Sequence, residues 1–291
     1  MPLDYEKILN WRFDDVVQSY VPKDCILYAL GIGLGLDPLD ADDLKFVYEK
    51  NLQTFPTLAL ILGYPGPWMA DPETGIDMLK VLHAEQSLDI VKPLPKEGTI
   101  RGKVKVVEII DKGKDKGALI VVERKIVDDK TRDLYCIQRS TAFARGNGGF
   151  DGPVSHSKKP QPIPDSSPHV SIEMPTSTQS ALLYRLSGDY NILHADPAVA
   201  KKAGFRAPIL HGLASFGVAA HSLMKALNVE DSTRLKHFSL RFSAPVYPGE
   251  TLRTEAWADG ETLACRTTAV ERDVVVLNNG RAIIESDERS C

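Results

Sequence analysis

HGLASFGVAAHSLMKAL, residues 211–227, is the stretch that decides the fold. Apolar or small residues occupy nearly every side of its first half, so it predicts a buried helix of about four turns. Segments rich in β-branched residues follow, separated by PG and DG turns, and predict strands: LKHFSLRFSAPV (235–246), GETLRTEAWAD (249–259), LACRTTAVERD (263–273) and VVVLNNGRAIIE (274–285). A buried helix wrapped by an antiparallel sheet is an α+β arrangement.

The same order of segments occurs twice in the chain. ILYALG (26–31) parallels LLYRLSG (182–188), FPTLALILG (55–63) parallels APILHGLAS (207–215), and KPLPKEGTIRGKVKVVE (92–108) parallels APVYPGETLRTEAWA (244–258). A domain-sized period indicates two copies of one fold rather than a solenoid. Residues 145–177 are rich in Gly, Pro and Ser and predict a linker without helix or strand. We therefore expect a first unit at 1–144 and a second at 178–291, each with a long buried helix.

Composition excludes several classes of partner. The net charge of −4 and the lack of a long basic stretch argue against nucleic-acid binding. The longest apolar runs are shorter than the roughly 20 residues that a membrane helix needs. The four cysteines are far apart, and the seven histidines show no metal-ligand spacing with a carboxylate or cysteine, so we expect no metal. The charged and mixed N-terminal residues do not predict a signal peptide. We expect a bacterial cytoplasmic protein, or a peroxisomal one if the chain is excised from a larger enzyme.

LYRLSGDYNILHADP, residues 183–197, holds the first candidate site. Asp196 followed by proline predicts a helix start, which leaves Asp189 and His194 on the irregular segment before it. A carboxylate beside an imidazole is a general acid/base pair, and Asn191 can fix a water or the loop itself. The alternative is that these residues cap turns and pack in the core.

Gly212 falls where the long helix is expected to begin. The first N–H groups of a helix lack internal partners, and one of them can stabilise an oxyanion forming on a thioester carbonyl. The alternative is close helix packing by Gly212 and Gly217. GLASFG is not a nucleophile elbow, because Leu213 replaces its first glycine. GIGLGL (31–36) lacks the third glycine of a dinucleotide-binding motif.

YRLSGDYNILHADPAVA (184–200) resembles the hydratase 2 motif of the (R)-specific 2-enoyl-CoA hydratases in the MaoC-like hot-dog superfamily. The one departure within it is Ile192, where the family usually has proline. Further blocks resemble the double hot-dog hydratases, such as the hydratase part of peroxisomal multifunctional enzyme type 2: DLKFVYE (43–49), KVLHAEQSL (80–88), GGFDG (148–152) and RFSAPVYPGETL (241–252). The resemblance implies a tandem hot-dog fold, in which each unit is an antiparallel sheet wrapped around a long helix.

The resemblance also implies a chemistry. Asp189 and His194 would be the catalytic pair, supported by Asn191. They would hold one water, add its hydroxyl to the β-carbon of a trans-2-enoyl-CoA, and return a proton to the α-carbon on the same face. The Gly212 N–H would bind the thioester oxygen. This is a hydro-lyase reaction that gives (R)-3-hydroxyacyl-CoA and needs no cofactor.

The resemblance assigns further residues to the site. Glu49 matches a supporting glutamate of the family, and His211 precedes the oxyanion position. Lys236 and Arg241 are candidates for the CoA phosphates, with solvated strand-face charges as the alternative. A homodimer is expected from the family.

The first copy lacks the functional groups of the second. Asp189 aligns with Gly33, His194 with Pro38, and His211 with an alanine. We hypothesise that the emptied first copy widens an acyl tunnel, which predicts turnover of medium or long enoyl chains. The alternatives are a biosynthetic 3-hydroxyacyl thioester dehydratase, a hot-dog acyl-CoA thioesterase and a non-catalytic acyl-CoA binding protein.

Overall fold

The structure is a computed structural model that describes residues 3–152 and 162–286. Its α-helices are α1 (Tyr5–Leu9), α2 (Pro22–Gly31), α3 (Leu44–Val47), α4 (Ser180–Tyr184), α5 (Pro197–Lys202) and α6 (Gly212–Ala226). Its strands are β1 (Val16–Tyr20), β2 (Val81–Ile90), β3 (Gly98–Asp111), β4 (Ala118–Asp128), β5 (Leu134–Ala144), β6 (Val170–Pro175), β7 (Leu235–Phe242), β8 (Thr251–Asp259), β9 (Thr262–Ala269) and β10 (Val274–Ile284). Short 3-10 helices lie at Pro56–Leu60, Trp68–Ala70, Pro72–Thr74, Met78–Lys80, Arg185–Ser187, Ile192–His194, Ser232–Arg234 and Val270–Arg272. Within the described ranges, no helix combines the length and the apolar character needed to cross a bilayer.

The chain forms two compact units whose segments alternate along the sequence. One unit comprises residues 1–18, 62–91 and 99–160, and the other comprises residues 19–61, 92–98 and 161–291. The division at 1–144 and 178–291 concerns the two sequence copies and stays a prediction. The expectation that 145–177 contains no strand was wrong, because β6 lies in it and pairs antiparallel with β8.

The first unit is built on antiparallel strands in the order β3-β4-β5-β2. Alternation along these strands directs one set of apolar side chains inward. Val106 and Ile109 of β3 and Ile120 of β4 form a core with Ile8 of α1, and all four are buried.

The second unit places α6 against an antiparallel sheet in the order β7-β10-β9-β8-β6. The helix predicted at 211–227 and the strands predicted after it are confirmed. Phe216 of α6 packs on Phe238 of β7, with ring centroids 4.5 Å apart. A side chain at Gly217 would come within 2.7 Å of Ile32, so this glycine lets the chain after α2 approach the helix. Burying each large apolar side chain contributes roughly 1.5–3 kcal/mol, so α6 anchors the unit.

The long helix expected in the first copy is not formed. Within the described residues, FPTLALILG folds only as the 3-10 helix Pro56–Leu60. Gly63 follows in the left-handed region (φ 61°), and Pro65 and Pro67 come next. Proline has no N–H and cannot continue a helix, so the segment stops where α6 runs on.

Candidate active site

The segment that carries Asp189 is folded by its own polar side chains. Gly188 ends a 3-10 helix with φ 122°. The N–H of Asn191 donates to Oδ1 of Asp189 at 3.2 Å, and the N–H of Leu193 donates to Oδ1 of Asn191 at 3.0 Å. Asn191 thereby caps the turn that ends at His194. The loop brings Asp189 and His194 close together, and Asn191 stabilises the loop; the catalytic roles of the three residues stay predictions.

The imidazole of His194 is oriented by the backbone. Its Nδ1 lies 2.8 Å from the carbonyl oxygen of Ile209, so Nδ1–H donates and Nε2 keeps its lone pair. His194 is buried, and this burial lowers its pKa, although the Ile209 carbonyl and the charge of Asp189 oppose the change. His194 is therefore neutral near pH 7, with a basic nitrogen available.

His211 packs against both Asp189 and His194. Its Nε2 lies 3.1 Å from the carbonyl oxygen of Asp189, and its ring stacks on His194 with centroids 3.7 Å apart and planes 26° apart. The ring is 1% exposed, and burial together with the neighbouring His194 lowers the pKa of His211 to about 4. A neutral His211 donates its Nε2–H to the main-chain carbonyl oxygen of Asp189. Its Nδ1 has no hydrogen-bond partner among the described residues.

Asp189, His194 and His211 form one cluster of functional groups. One ring nitrogen of each histidine and one carboxylate oxygen of Asp189 all lie within 4.8 Å of one another. A half-buried carboxylate beside a neutral imidazole can share a water and exchange a proton with it. The same three groups are also of the types that hold a divalent metal. The sequence analysis named His211 only as a supporting residue, and its stacking on His194 was not predicted because His211 lies on a separate segment. The expectation of no metal and no cofactor stays a prediction.

Gly212 begins α6, directly after His211. The amide of Gly212 is not used by any hydrogen bond among the described residues, so this N–H, at the positive end of a 15-residue helix, is available to an oxyanion. A side chain at Gly212 would lie 3.1 Å from the Phe242 ring. The amide role and the close-packing alternative therefore apply to the same residue.

The other predicted residues lie on segments other than those that carry the cluster. Glu49 is exposed after α3 and makes no hydrogen bond or ion pair with Asp189, His194 or His211 in the described structure. Lys236 on β7 pairs with Glu285 at 3.1 Å. Arg241, also on β7, is exposed opposite Asn278 of β10. Their roles stay predictions.

A cavity lies beside the Gly-rich segment 31–36. It measures about 150 Å³ and lies in the second unit. Its apolar walls include Leu30, Ile32, Leu34, Leu183, Leu210 and Val218. GIGLGL supplies one wall, and Leu210 adjoins His211 in the sequence. The sequence analysis excluded this Gly-rich segment as a dinucleotide site and hypothesised an acyl tunnel from Gly33, but it did not predict the other lining residues.

Known protein families match both halves of the chain. A model described as the MFE-2 hydratase 2 N-terminal domain matches residues 18–146, and one described as a MaoC like domain matches residues 159–280. The peroxisomal enoyl-CoA hydratase 2 of Arabidopsis thaliana is 38% identical over 93% of this chain and 92% of its own length. Enoyl-CoA hydratase ChsH3 of Mycobacterium tuberculosis is 35% identical over 98% of this chain and 99% of its own length.

Solved structures agree with these matches. A MaoC-like dehydratase from Phytophthora capsici superposes with a TM-score of 0.86 at 35% identity, covering 98% of this chain and 99% of that one. A Mycobacterium tuberculosis protein described as a double hot-dog fold has a TM-score of 0.52 at 15% identity over 94% of this chain and 96% of its own, which shows the fold alone. The tandem hot-dog prediction is confirmed.

Proposed function

The chain belongs to the MaoC-like hydratase 2 family, and we propose from this premise that it reversibly hydrates trans-2-enoyl-CoA to (R)-3-hydroxyacyl-CoA. It is a hydro-lyase, and its substrate is an acyl-CoA thioester. The observation that carries the chemistry is the cluster of Asp189, His194 and His211, in which one nitrogen or oxygen atom of each residue lies within 4.8 Å of those of the others. The ring of His211 stacks on that of His194, and the unused amide of Gly212 follows next in the chain.

In the proposed reaction, Asp189 and His194 transfer the proton, and Gly212 stabilises the developing negative charge. Asp189 and the free Nε2 of His194 hold one water and take a proton from it as its oxygen bonds to the β-carbon. Electrons of the C=C bond move towards the thioester carbonyl, and the Gly212 N–H stabilises the developing oxyanion. The proton taken from the water is then returned to the α-carbon on the same face. Atoms and charge balance without a cofactor.

The acyl chain is assigned to the cavity beside GIGLGL. Its lining is mainly aliphatic, which suits a hydrocarbon chain. Gly33, which aligns with Asp189 in the first copy, is one of its lining residues. The cavity therefore supports turnover of medium or long chains. We further propose Glu49 as a supporting residue of the site. We propose that the CoA phosphates are bound by Lys236 and Arg241.

The alternatives differ in measurable products. A dehydratase uses the same residues in reverse, and a catalyst serves both directions. A thioesterase would release free CoA thiol, and a non-catalytic protein would bind acyl-CoA without turnover. We further propose a homodimer, testable by sedimentation, and a bacterial cytoplasmic location with the peroxisome as the alternative, testable by fractionation.

The test is a hydration assay with crotonyl-CoA and a long trans-2-enoyl-CoA. Loss of the conjugated enoyl absorbance is followed, the configuration of the product is resolved, and a thiol reagent detects free CoA. We expect the (R) product, undiminished by a metal chelator, and its loss in Asp189→Asn. Hydration of neither substrate would contradict the proposal, and turnover confined to crotonyl-CoA would contradict the assignment of the cavity.

A further inference from the structure

The wall of the cavity formed by residues 31–36 is tied to α6 by one buried carboxylate. Oδ2 of Asp43 accepts the N–H of Gly35 at 2.9 Å, and Oδ1 lies 2.9 Å from Nε2 of His221 on α6. Asp43 is 5% exposed and His221 is 4% exposed. Asp43 and His221 are 178 positions apart in the sequence, so this contact joins two distant segments of the second unit. We call Asp43, His221 and Gly35 the clasp.

The buried carboxylate of the clasp is stabilised in its ionised form. Burial acts to raise the pKa of Asp43, but the hydrogen bond and charge of His221 and the Gly35 amide outweigh it and hold the pKa below its usual value. The carboxylate is therefore ionised, and both of its oxygens are satisfied by protein donors. Phe55 closes one side, with its ring edge-on to His221 at 6.0 Å. Removing one partner from such a buried group leaves an unpaired charge, so the clasp fixes a single arrangement.

One helix carries both the cavity lining and the anchor of the opposite wall. Val218 of α6 lines the cavity, and His221 lies one turn further along. Lys225, four residues after His221, forms an ion pair with Asp40. Asp40, like Asp43, lies in the segment that follows residues 31–36. Residues four apart lie on one helix face, so this face of α6 binds the segment that follows the Gly-rich wall at two points.

The wall is held by local backbone hydrogen bonds, by the buried side chains of Ile32 and Leu34, and by the bond from Gly35 to Asp43. Gly33 and Gly35 have φ values of 89° and 72°, a region that favours glycine. Glycine has the greatest backbone freedom of any residue, so the distance of this wall from α6 depends on external contacts. The bond from Gly35 to Asp43 is such a contact, and it lies directly on the wall.

We propose that the clasp determines acyl-chain specificity: Asp43 and His221 are positioning residues that hold residues 31–36 at the distance from α6 that admits a medium or long chain. This inference rests on the proposed function, because it takes the cavity as the acyl site. It assigns chain selection to a contact that touches neither the thioester nor the acid/base pair.

The test compares His221→Leu, which removes the donor, with His221→Gln, which keeps an N–H donor. Ser222→Ala is the matched control on α6, because Ser222 donates only to Val218 of its own helix. We expect His221→Leu to raise KM for trans-2-decenoyl-CoA by about ten-fold or more, an effect in the range that pocket contacts produce. KM for crotonyl-CoA and kcat for both substrates stay within about two-fold. His221→Gln and Ser222→Ala should resemble the parent.

A binding measurement separates this inference from the proposed function. Calorimetry with butyryl-CoA and decanoyl-CoA, which cannot be hydrated, reports the cavity without turnover. Selective loss of decanoyl-CoA affinity in His221→Leu supports the clasp even if the parent hydrates nothing. Equal losses for both chain lengths, or no loss for either, overturn it. If His221→Leu does not fold, Asp43→Asn, which loses one of the two hydrogen bonds, is measured in the same way against the same outcomes.

Discussion

Two loops of the second unit occupy equivalent places in the two sequence copies and use their carboxylates in opposite ways. In residues 31–43, Asp43 is buried and receives two protein donors at 2.9 Å. In residues 188–196, Asp189 is only half-buried and receives one amide at 3.2 Å. A saturated carboxylate holds structure, whereas one with free lone pairs can bind a water and exchange a proton.

The helices before the two loops, α2 with 10 residues and α4 with 5, pack against each other. Tyr28 of α2 and Tyr184 of α4 match in the sequence repeat, and their rings pack with centroids 5.8 Å apart. A side chain at Gly31 would meet the backbone of Tyr184 at 3.1 Å. The two loops therefore follow helices that are packed together, and their own residues differ in chemistry.

The largest effect is expected from a substitution in residues 188–196, the loop that carries Asp189 and His194. His194→Gln should lower kcat by about 10³-fold, because general acid/base catalysis contributes in that range. Pro38→His, at the matching place in the other loop, should leave kcat unchanged. Enoyl absorbance assays measure both, and a loss below ten-fold in His194→Gln would remove the residue from the proposed mechanism.

A second comparison sets the two glycines of α6 against each other. Gly212→Ala should lower kcat by about 10²-fold, since its Cβ would press on Phe242 and displace the oxyanion amide. Adding Phe242→Leu should restore part of the rate. Gly217→Ala, whose Cβ would meet Ile32 instead, should lower the melting temperature and leave kcat of the remaining folded enzyme near the parent value. Equal kcat losses in the two alanine variants would contradict the distinction.

The stacked imidazoles should make stability pH-dependent. The pKa of His211 is lowered to about 4 in the folded chain, whereas an unfolded histidine titrates near its ordinary value of 6.5. Between these values the unfolded state binds more protons, so stability is complete above pH 6.5 and falls as pH drops, by up to about 1.4 kcal/mol per unit. The lowered pKa of His194 acts in the same direction. Urea unfolding at pH 7 and pH 5 measures the slope, which should flatten in His211→Asn; an unchanged slope would exclude His211 as its source.

The smallest effect concerns the glycines that open the two loops. Gly33 and Gly188 both have positive φ, and a Cβ at either would meet no atom within 4 Å. Alanine at either position should therefore cost only backbone strain, about 1–2 kcal/mol in urea unfolding. Gly188→Ala should also lower kcat because it adjoins Asp189, and Gly33→Ala should not. A kcat loss in Gly33→Ala would show that the two loops are coupled.

Local sequence signals predicted the elements best. The apolar run at 211–227 and the turn-flanked strands after it are self-contained patterns, and the structure follows them. The expected long helix of the first copy failed because two prolines after Gly63 outweigh its apolar content. β6 was hidden among turn formers, where a short edge strand carries little signal.

The candidate site divides in the same way. Asp189 and His194 lie five residues apart, so one loop brings them together and their proximity is readable from sequence. The stack of His211 on His194, and the contact between Asp43 and His221, join residues from separate segments. Only the tertiary fold creates such contacts, and no periodicity in one sequence records them.

The main-chain bonds of the two imidazoles bear on how the site is inherited. His194 donates to the carbonyl of Ile209, and His211 donates to the carbonyl of Asp189. Every residue type supplies such an oxygen, so these two bonds do not depend on which side chains stand at positions 209 and 189. Mutations that spare the path of the main chain therefore leave both rings in place, and neighbouring side chains can drift over many generations without redirecting them.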